Sequence, residues 1–258
     1  MEFEIISSEL LDNYKELVTD SLLSKLDDLE KVETPVDYFQ FYNSVSSVYS
    51  SKIEGENIDF DSFFKHKFLN VKYQPDYTKK ADDLYSAYEF IFKNELNLEN
   101  LQKVHSILSS NLLPKSQQGL IRNNPMFVIN SEDKIEYVAA EPGIIKVELG
   151  KLFNDINKLQ KATLDIVESF YFSAYIHLVF VKIHPFQDGN GRAARLLEKW
   201  FLIEQLSEKA TAIPLEKNYY QNVLDYYSNI KQLGLEYGFL DYSKALKFLL
   251  MTVSGIQK

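Results

Sequence analysis

The apolar run from Tyr171 to Ile183 ends abruptly at His184-Pro185, and this junction constrains the fold more than any other feature of the chain. Proline disfavours helical geometry in the residue before it, so a helix over about 163–183 must yield near His184. The run contains Ser173, His177 and Lys182, and it falls short of the roughly 20 apolar residues that a membrane span needs. It reads as a buried core helix. Another helix begins around Asn190, and a short polar loop lies between the two.

Apolar residues return at helical spacing through most of the remaining chain. Leu10, Leu11, Tyr14, Leu17, Leu22, Leu23 and Leu26 follow a helix start at Ser7-Ser8-Glu9. Pro35 opens a second helix carrying Tyr38, Phe39, Tyr42, Val45, Val48 and Tyr49, which should stop near Gly55. Further helices are expected over 60–70, 78–94, 97–112, 144–160, 214–232 and 239–255. One segment breaks the period. Two β-favouring runs, Pro125 to Ile129 and Ile135 to Val138, flank the polar stretch Asn130-Ser131-Glu132-Asp133-Lys134 and read as a hairpin. The expected fold is mainly α with one β-hairpin.

Composition narrows the function. The chain has 28 Lys and Arg against 37 Asp and Glu, a net charge of −9, which argues against a broad nucleic-acid or membrane-surface role. No basic helix-turn-helix follows the core. The absence of cysteine removes disulfides, thiolate metal sites and Cys nucleophiles, and suits a reducing cytoplasm. The start, Met1-Glu2-Phe3-Glu4, lacks the basic region of a secretory leader. The four histidines do not form a metal set.

The chemistry concentrates in His184-Pro185-Phe186-Gln187-Asp188-Gly189-Asn190-Gly191-Arg192-Ala193-Ala194-Arg195. Asn190 is a good N-cap, and Gly189 and Gly191 let the backbone bend so that amide N–H groups face outward. A helix start carries partial positive charge, yet Arg192 and Arg195 sit in its first turns. A bound polyphosphate would turn that repulsion into a binding site. Asp188 would suit Mg²⁺, which takes one carboxylate together with phosphate oxygens. His184 is the side chain best placed to take a proton near neutral pH. A calcium loop fails, because Phe186 and Leu197 would occupy ligand positions one and twelve. No phosphate-binding P-loop or dinucleotide fingerprint is present.

This segment resembles the signature of the Fic (Fido) family, H-x-F-x-[D/E]-G-N-G-R-x-x-R, at every fixed position. The likeness extends over about 97–235 and implies a Fic-fold helical bundle with a β-hairpin flap. On that reading, 1–96 is an N-terminal helical region and 97–258 the core with its C-terminal helices. The resemblance implies a protein adenylyltransferase that moves AMP from ATP to a Ser, Thr or Tyr hydroxyl, with Mg²⁺. His184 would be the general base and Asp188 would hold the metal. Gly189, Asn190, Gly191 and Arg192 would line an anion hole, Arg195 would meet the γ-phosphate, and Phe186 would wedge the loop. Gly191 stands where the related Doc kinases have Lys, which favours AMP over phosphate transfer. Removal of AMP, use of another nucleotide, and a non-catalytic nucleotide-binding module are the alternatives.

Ser50-Ser51-Lys52-Ile53-Glu54-Gly55 resembles the family's inhibitory motif, [S/T]-x-x-x-E-[G/N], with Ser50, Glu54 and Gly55 in register. A carboxylate at the negative end of a helix is electrostatically misplaced unless it faces a cation. The resemblance supplies that cation as Arg195, with inhibition exerted within one chain by a helix at about 36–55. It also casts Phe127, Val128 and Ile129 as the flap that docks a target peptide by strand addition. Arg122 would orient the flap or phosphate, or form a surface salt bridge. Tyr220 is the chosen adenine contact among Tyr219, Tyr220, Tyr226 and Tyr227. His177 reads as a hydrogen-bonded core residue, and His66 and His105 belong to no constellation. The target protein is not legible; self-modification is expected, and relatives suggest a homodimer.

Overall fold

The computed structural model describes residues 2–18, 22–30, 36–129 and 132–257. The helices are α1 Leu11–Leu17, α2 Leu22–Glu30, α3 Tyr38–Ile53, α4 Phe60–Leu69, α5 Pro75–Lys93 and α6 Leu98–Leu108. A hairpin, β1 Phe127–Ile129 and β2 Ile135–Val138, precedes α7 Ile145–Gln160. Then come α8 Ile166–Ile183, α9 Asn190–Leu206, α10 Leu215–Gln221, α11 Val223–Lys231 and α12 Leu246–Gln257. The fold is mainly α with a small antiparallel hairpin, as the periodicity predicts. Pro35, expected to open the second helix, and Asn130 and Ser131 of the hairpin loop lie outside the described residues.

Two expected helices are each divided. The leucine series from Leu10 to Leu26 spans α1 and α2, and α1 ends where Val18 turns extended. The helix expected over 214–232 breaks at Asn222, whose backbone departs from helical angles between α10 and α11. Short 3-10 turns at Tyr237–Phe239 and Tyr242–Lys244 replace the start of the helix expected from 239.

By length and apolar content α8 would cross a membrane, yet here it is the buried centre of the bundle, packed on α7, α9 and α12. Asp165 and Glu168 cap its start reciprocally. Those two side chains satisfy N–H groups that have no partner within the helix at its start. One hydrophobic core runs from Ile6 to Ile256, so residues on both sides of 96/97 share it. Val48, Ile58, Phe63, Ala81 and Tyr85 form a smaller cluster where α3, α4 and α5 meet.

α3 is tied to the core through a buried polar knot. The Glu216 carboxylate accepts from Ser46 Oγ at 2.9 Å and Tyr88 OH at 2.7 Å, and Lys199 Nζ lies 3.3 Å away. Each of these groups is almost wholly buried, so an unmade bond would leave a costly unpaired polar atom. The helix ends in a left-handed turn: Gly55 has φ +85°, and the Glu56 N–H donates back to Ser51 O at 3.2 Å. That closure satisfies carbonyls at the helix end and fixes where the chain beyond Ile53 points.

Candidate active site

α8 ends at His184, which takes left-handed backbone angles, φ +54° and ψ +59°. The chain then reverses through Pro185–Asp188 and enters α9. Gly189, with φ +77°, stands at the cap position, and no side chain caps the helix. This corrects the expected capping role of Asn190. Its side chain is already committed across the loop: Oδ1 accepts from Phe186 N at 2.9 Å and Nδ2 donates to Phe186 O at 2.8 Å. The consequence is an open helix end. Among the described residues, the N–H groups of Asn190, Gly191 and Arg192 have no hydrogen-bond partner, and the first helical bond comes from Ala193. Free N–H groups at a helix start form a ready anion site.

Packing holds the loop from two sides. Phe186 is fully buried and stacks on the His105 ring at 3.6 Å. His105 Nδ1 accepts from Gly119 N at 3.0 Å, so Nε2 carries the proton and donates to the Asp188 carbonyl at 2.9 Å. Burial pushes the His105 pKa down to about 4, keeping the ring in this neutral form. Arg122 grips the other side. It donates from Nε to His184 O at 2.7 Å, from Nη1 to Asn124 O at 2.6 Å and from Nη2 to Ala140 O at 2.5 Å. Arg122 is therefore a buried tie between the loop and the hairpin, with no salt bridge among the described residues.

His184 Nδ1 lies 3.1 Å from the Val181 carbonyl, which requires the proton on that nitrogen and leaves Nε2 with a lone pair. Burial lowers the His184 pKa, with Arg122 adding to the effect and Val181, Glu54 and Asp188 opposing it. A neutral imidazole with an available lone pair is what a proton acceptor needs. His184 lines a cavity of about 230 Å³ with Glu54, Gly191, Arg195, Tyr226, Tyr227 and residues of the hairpin, Val128 among them. Lys182 is also in its wall, with its ammonium 4.0 Å from the Tyr137 ring centre; burial lowers that pKa to about 8. Lys231 of α11 and Glu136 of β2 meet at 2.6 Å along the same wall.

Arg195 is fully buried, and every N–H-bearing nitrogen of its guanidinium is engaged. Nε donates to Ser50 Oγ at 3.0 Å, Nη1 to Tyr226 OH at 3.3 Å, and Nη2 to Ser50 O at 3.1 Å and Glu54 Oε1 at 2.6 Å. Burial works against ionisation of Glu54, but the charges of Arg195 and Arg192 and the Arg195 hydrogen bond outweigh it and hold the carboxyl below its ordinary range. Gly191 accommodates this contact, because a Cβ there would lie 2.6 Å from Glu54 Oε1. Arg192 reaches the next acid of the same turn, Glu56, at 3.4 Å, and Lys80 of α5 meets that carboxylate at 2.5 Å. Arg192 Nε is buried without a hydrogen-bond partner among the described residues.

Asp188 is exposed, and its Oδ1 accepts from Gly189 N at 2.6 Å. No group of three or more His, Cys, Asp or Glu side chains suited to a metal occurs among the described residues. A lone carboxylate beside free helix N–H groups fits a Mg²⁺ that arrives with phosphate oxygens, and does not fit a metal caged by protein alone.

The structure thus brings together His184, Gly191, Arg195, Glu54 and Val128 at one cavity, with Asp188, Gly189, Asn190 and Arg192 on the adjoining loop and helix end. Ser50 and Gly55 belong to the end of α3 that carries Glu54. In the hairpin, Phe127 pairs with Val138 and Val128 with Tyr137, while Phe127 and Ile129 are exposed. Tyr220 is elsewhere: it packs on Tyr49 and under the Lys52 ammonium, because α10 turns it toward α3. The tyrosines at the cavity are Tyr226 and Tyr227. His105 and Glu56 were not legible. A lone histidine far upstream gives no signal, and the only trace of Glu56 is an acid after a helix-ending glycine.

Fold and site together define a helical-bundle domain with an uncapped helix start beside a neutral imidazole. Residues 95–202 match the model of the Fic/DOC family. A 104-residue segment is 28% identical to "Protein adenylyltransferase fic-1" of Caenorhabditis elegans, covering 40% of this chain but only 18% of that protein. Solved structures agree in fold. A Fic family protein from Desulfovibrio desulfuricans aligns over 93% of this chain and 73% of its own, with a TM-score of 0.73 and 17% identity. A Fic domain containing signaling protein from Bacteroides thetaiotaomicron aligns over 95% and 94%, with a TM-score of 0.67 and 19% identity.

Proposed function

We propose that the chain is a protein adenylyltransferase that moves AMP from ATP to a hydroxyl of a cytoplasmic protein and is restrained by its own Glu54. The observation that carries the reading is the shared cavity: a neutral His184 with a free Nε2 faces the same space as Arg195, beside an uncapped helix start. The open N–H groups and Arg192 would take phosphate oxygens, and Arg195 the terminal phosphate. Asp188 would hold Mg²⁺, which when bound offsets phosphate charge. His184 Nε2 would accept the proton of the target hydroxyl. The hydroxyl oxygen then bonds to the α-phosphorus, the α–β bridging bond breaks, and pyrophosphate leaves. Positioning and charge neutralisation are what such a transfer demands of a protein. The exposed edge of β1, with Phe127 and Ile129, would align the target segment by strand pairing.

The Glu54–Arg195 contact supports the restraint, since the carboxylate occupies the donor that a γ-phosphate would use. The test is incubation of Glu54→Gly protein with α-labelled and γ-labelled ATP, with and without host lysate, beside Glu54→Gly/His184→Ala. Protein label from the α position alone, lost with His184, is the expected result. Label from the γ position would mean phosphate transfer. No label with retained ATP binding would mean a nucleotide-binding module.

A further inference from the structure

Behind Arg195 runs a string of buried polar groups that the transfer chemistry does not use. Tyr226 OH accepts from Arg195 Nη1 at 3.3 Å and lies 3.0 Å from His177 Nε2. His177 Nδ1 lies 2.6 Å from Glu198 Oε2. The Glu198 carboxylate also accepts from Tyr219 OH at 2.8 Å and Thr252 Oγ1 at 2.8 Å. Arg195, His177, Glu198 and Tyr219 are all fully buried.

The proton placement follows from satisfaction. An unprotonated Nδ1 would set a lone pair against a carboxylate, so Nδ1 carries hydrogen and donates to Glu198. With the hydrogen of the neutral ring on Nδ1, Nε2 has only a lone pair, so Tyr226 OH donates to it while its oxygen accepts from Arg195. Every donor then has an acceptor, and the order Arg195 to Tyr226 to His177 to Glu198 is fixed in one direction. Buried networks that are fully satisfied hold a single geometry. α8, α9, α10, α11 and α12 each contribute one member or more, so the string anchors the guanidinium to the whole bundle.

We infer that Tyr226, oriented by His177 and Glu198, is a positioning residue that holds the Arg195 guanidinium in the direction a terminal phosphate requires. The inference rests on the reading of the cavity as a triphosphate site. Ser50 fixes the Nε side of the guanidinium, and Tyr226 fixes the Nη1 side. With Glu54 turned away, those contacts remain, and Nη2, still donating to Ser50 O, keeps its second N–H aimed and free. Without the Tyr226 hydroxyl, Nη1 loses its acceptor and the guanidinium can rotate about the Ser50 contacts.

The test uses the full chain in the Glu54→Gly background and compares Tyr226→Phe, His177→Phe and the double variant by calorimetric titration with MgATP and MgADP. Circular dichroism and melting verify that each variant folds. Tyr226→Phe should weaken ATP by about tenfold, the scale of one charge-assisted hydrogen bond, and change ADP less than twofold. His177→Phe, which touches no phosphate, should reproduce the ATP-selective loss, and the double variant should lose no more than the worse single one. Equal losses for ATP and ADP, or additive losses in the double variant, would show a merely structural network and overturn the inference. If the Glu54→Gly parent itself binds neither nucleotide, the triphosphate reading fails and the inference falls with it.

Discussion

On the proposed reading, replacing Glu54 by glycine isolates the contact that would most directly oppose triphosphate binding. The Glu54 carboxylate meets Arg195 at 2.6 Å; the Glu54 side chain is 26% exposed and the Arg195 side chain is at 0%. A charge-assisted hydrogen bond of this kind is worth roughly 1.5–3 kcal/mol, and partial solvent access places this one near about 2 kcal/mol. If ATP engages Nη2 as proposed, it would have to displace this bond, so its removal should tighten ATP by about 30-fold, since each 1.4 kcal/mol is tenfold. ADP has no γ-phosphate to place there and should gain less than threefold. The ligand-free variant should also melt lower, because a buried guanidinium loses its counter-charge. Saturating ATP should restore that loss by mass action. Titration calorimetry and melting curves, at one fixed ionic strength, read both effects. An equal gain for ADP, or none for ATP, would refute the competition. Acid should not imitate the substitution. The Glu54 pKa is lowered, so its ion pair is complete above the ordinary carboxylate range and is lost only as pH falls through the depressed value.

Glu56 holds the first arginine of the signature, so Glu56→Gln should tighten ADP and ATP alike, by about threefold, the scale of a partly exposed ion pair. Titration with both nucleotides separates this from the Glu54 effect, and a gain confined to ATP would contradict it. His105 gives a pH signature. Its folded pKa of about 4 lies below the ordinary 6.5, so the unfolded chain binds the proton first and stability falls as pH drops from about 6.5 toward 4. The loss should approach about 3 kcal/mol, and denaturant melts of His105→Gln should lack that part of the slope.

The parts of this molecule that were legible in sequence are those whose causes are local. Apolar periodicity reports a helix because the residues that share a face are three or four apart, and α8 and α9 follow that rule on either side of Pro185. The His184–Arg195 stretch was legible as a candidate site because its backbone bends, its N–H groups and its charges all lie within one loop and one helix start. The misplaced cap shows the limit. Asn190 has the chemistry of an N-cap, but the Phe186 backbone competes for the same side chain and wins, an outcome set by how the loop closes. Contacts made across the fold left no mark. His105 acts on Asp188 from 83 residues away, and the choice of Tyr220 over Tyr226 turned on the break at Asn222 that rotates α11 against α10.

The position of Glu54 is decided just as remotely. Nothing in Ser50–Gly55 states that α3 is held by Glu216, Ser46 and Tyr88 in a buried knot with Lys199. Yet that knot determines what a substitution at Glu54 measures. With the helix fixed and Gly55 closing its end, removing the carboxylate alters one side chain at the cavity and leaves the scaffold that presents it. A change in ATP affinity can therefore be assigned to Arg195 losing its carboxylate partner.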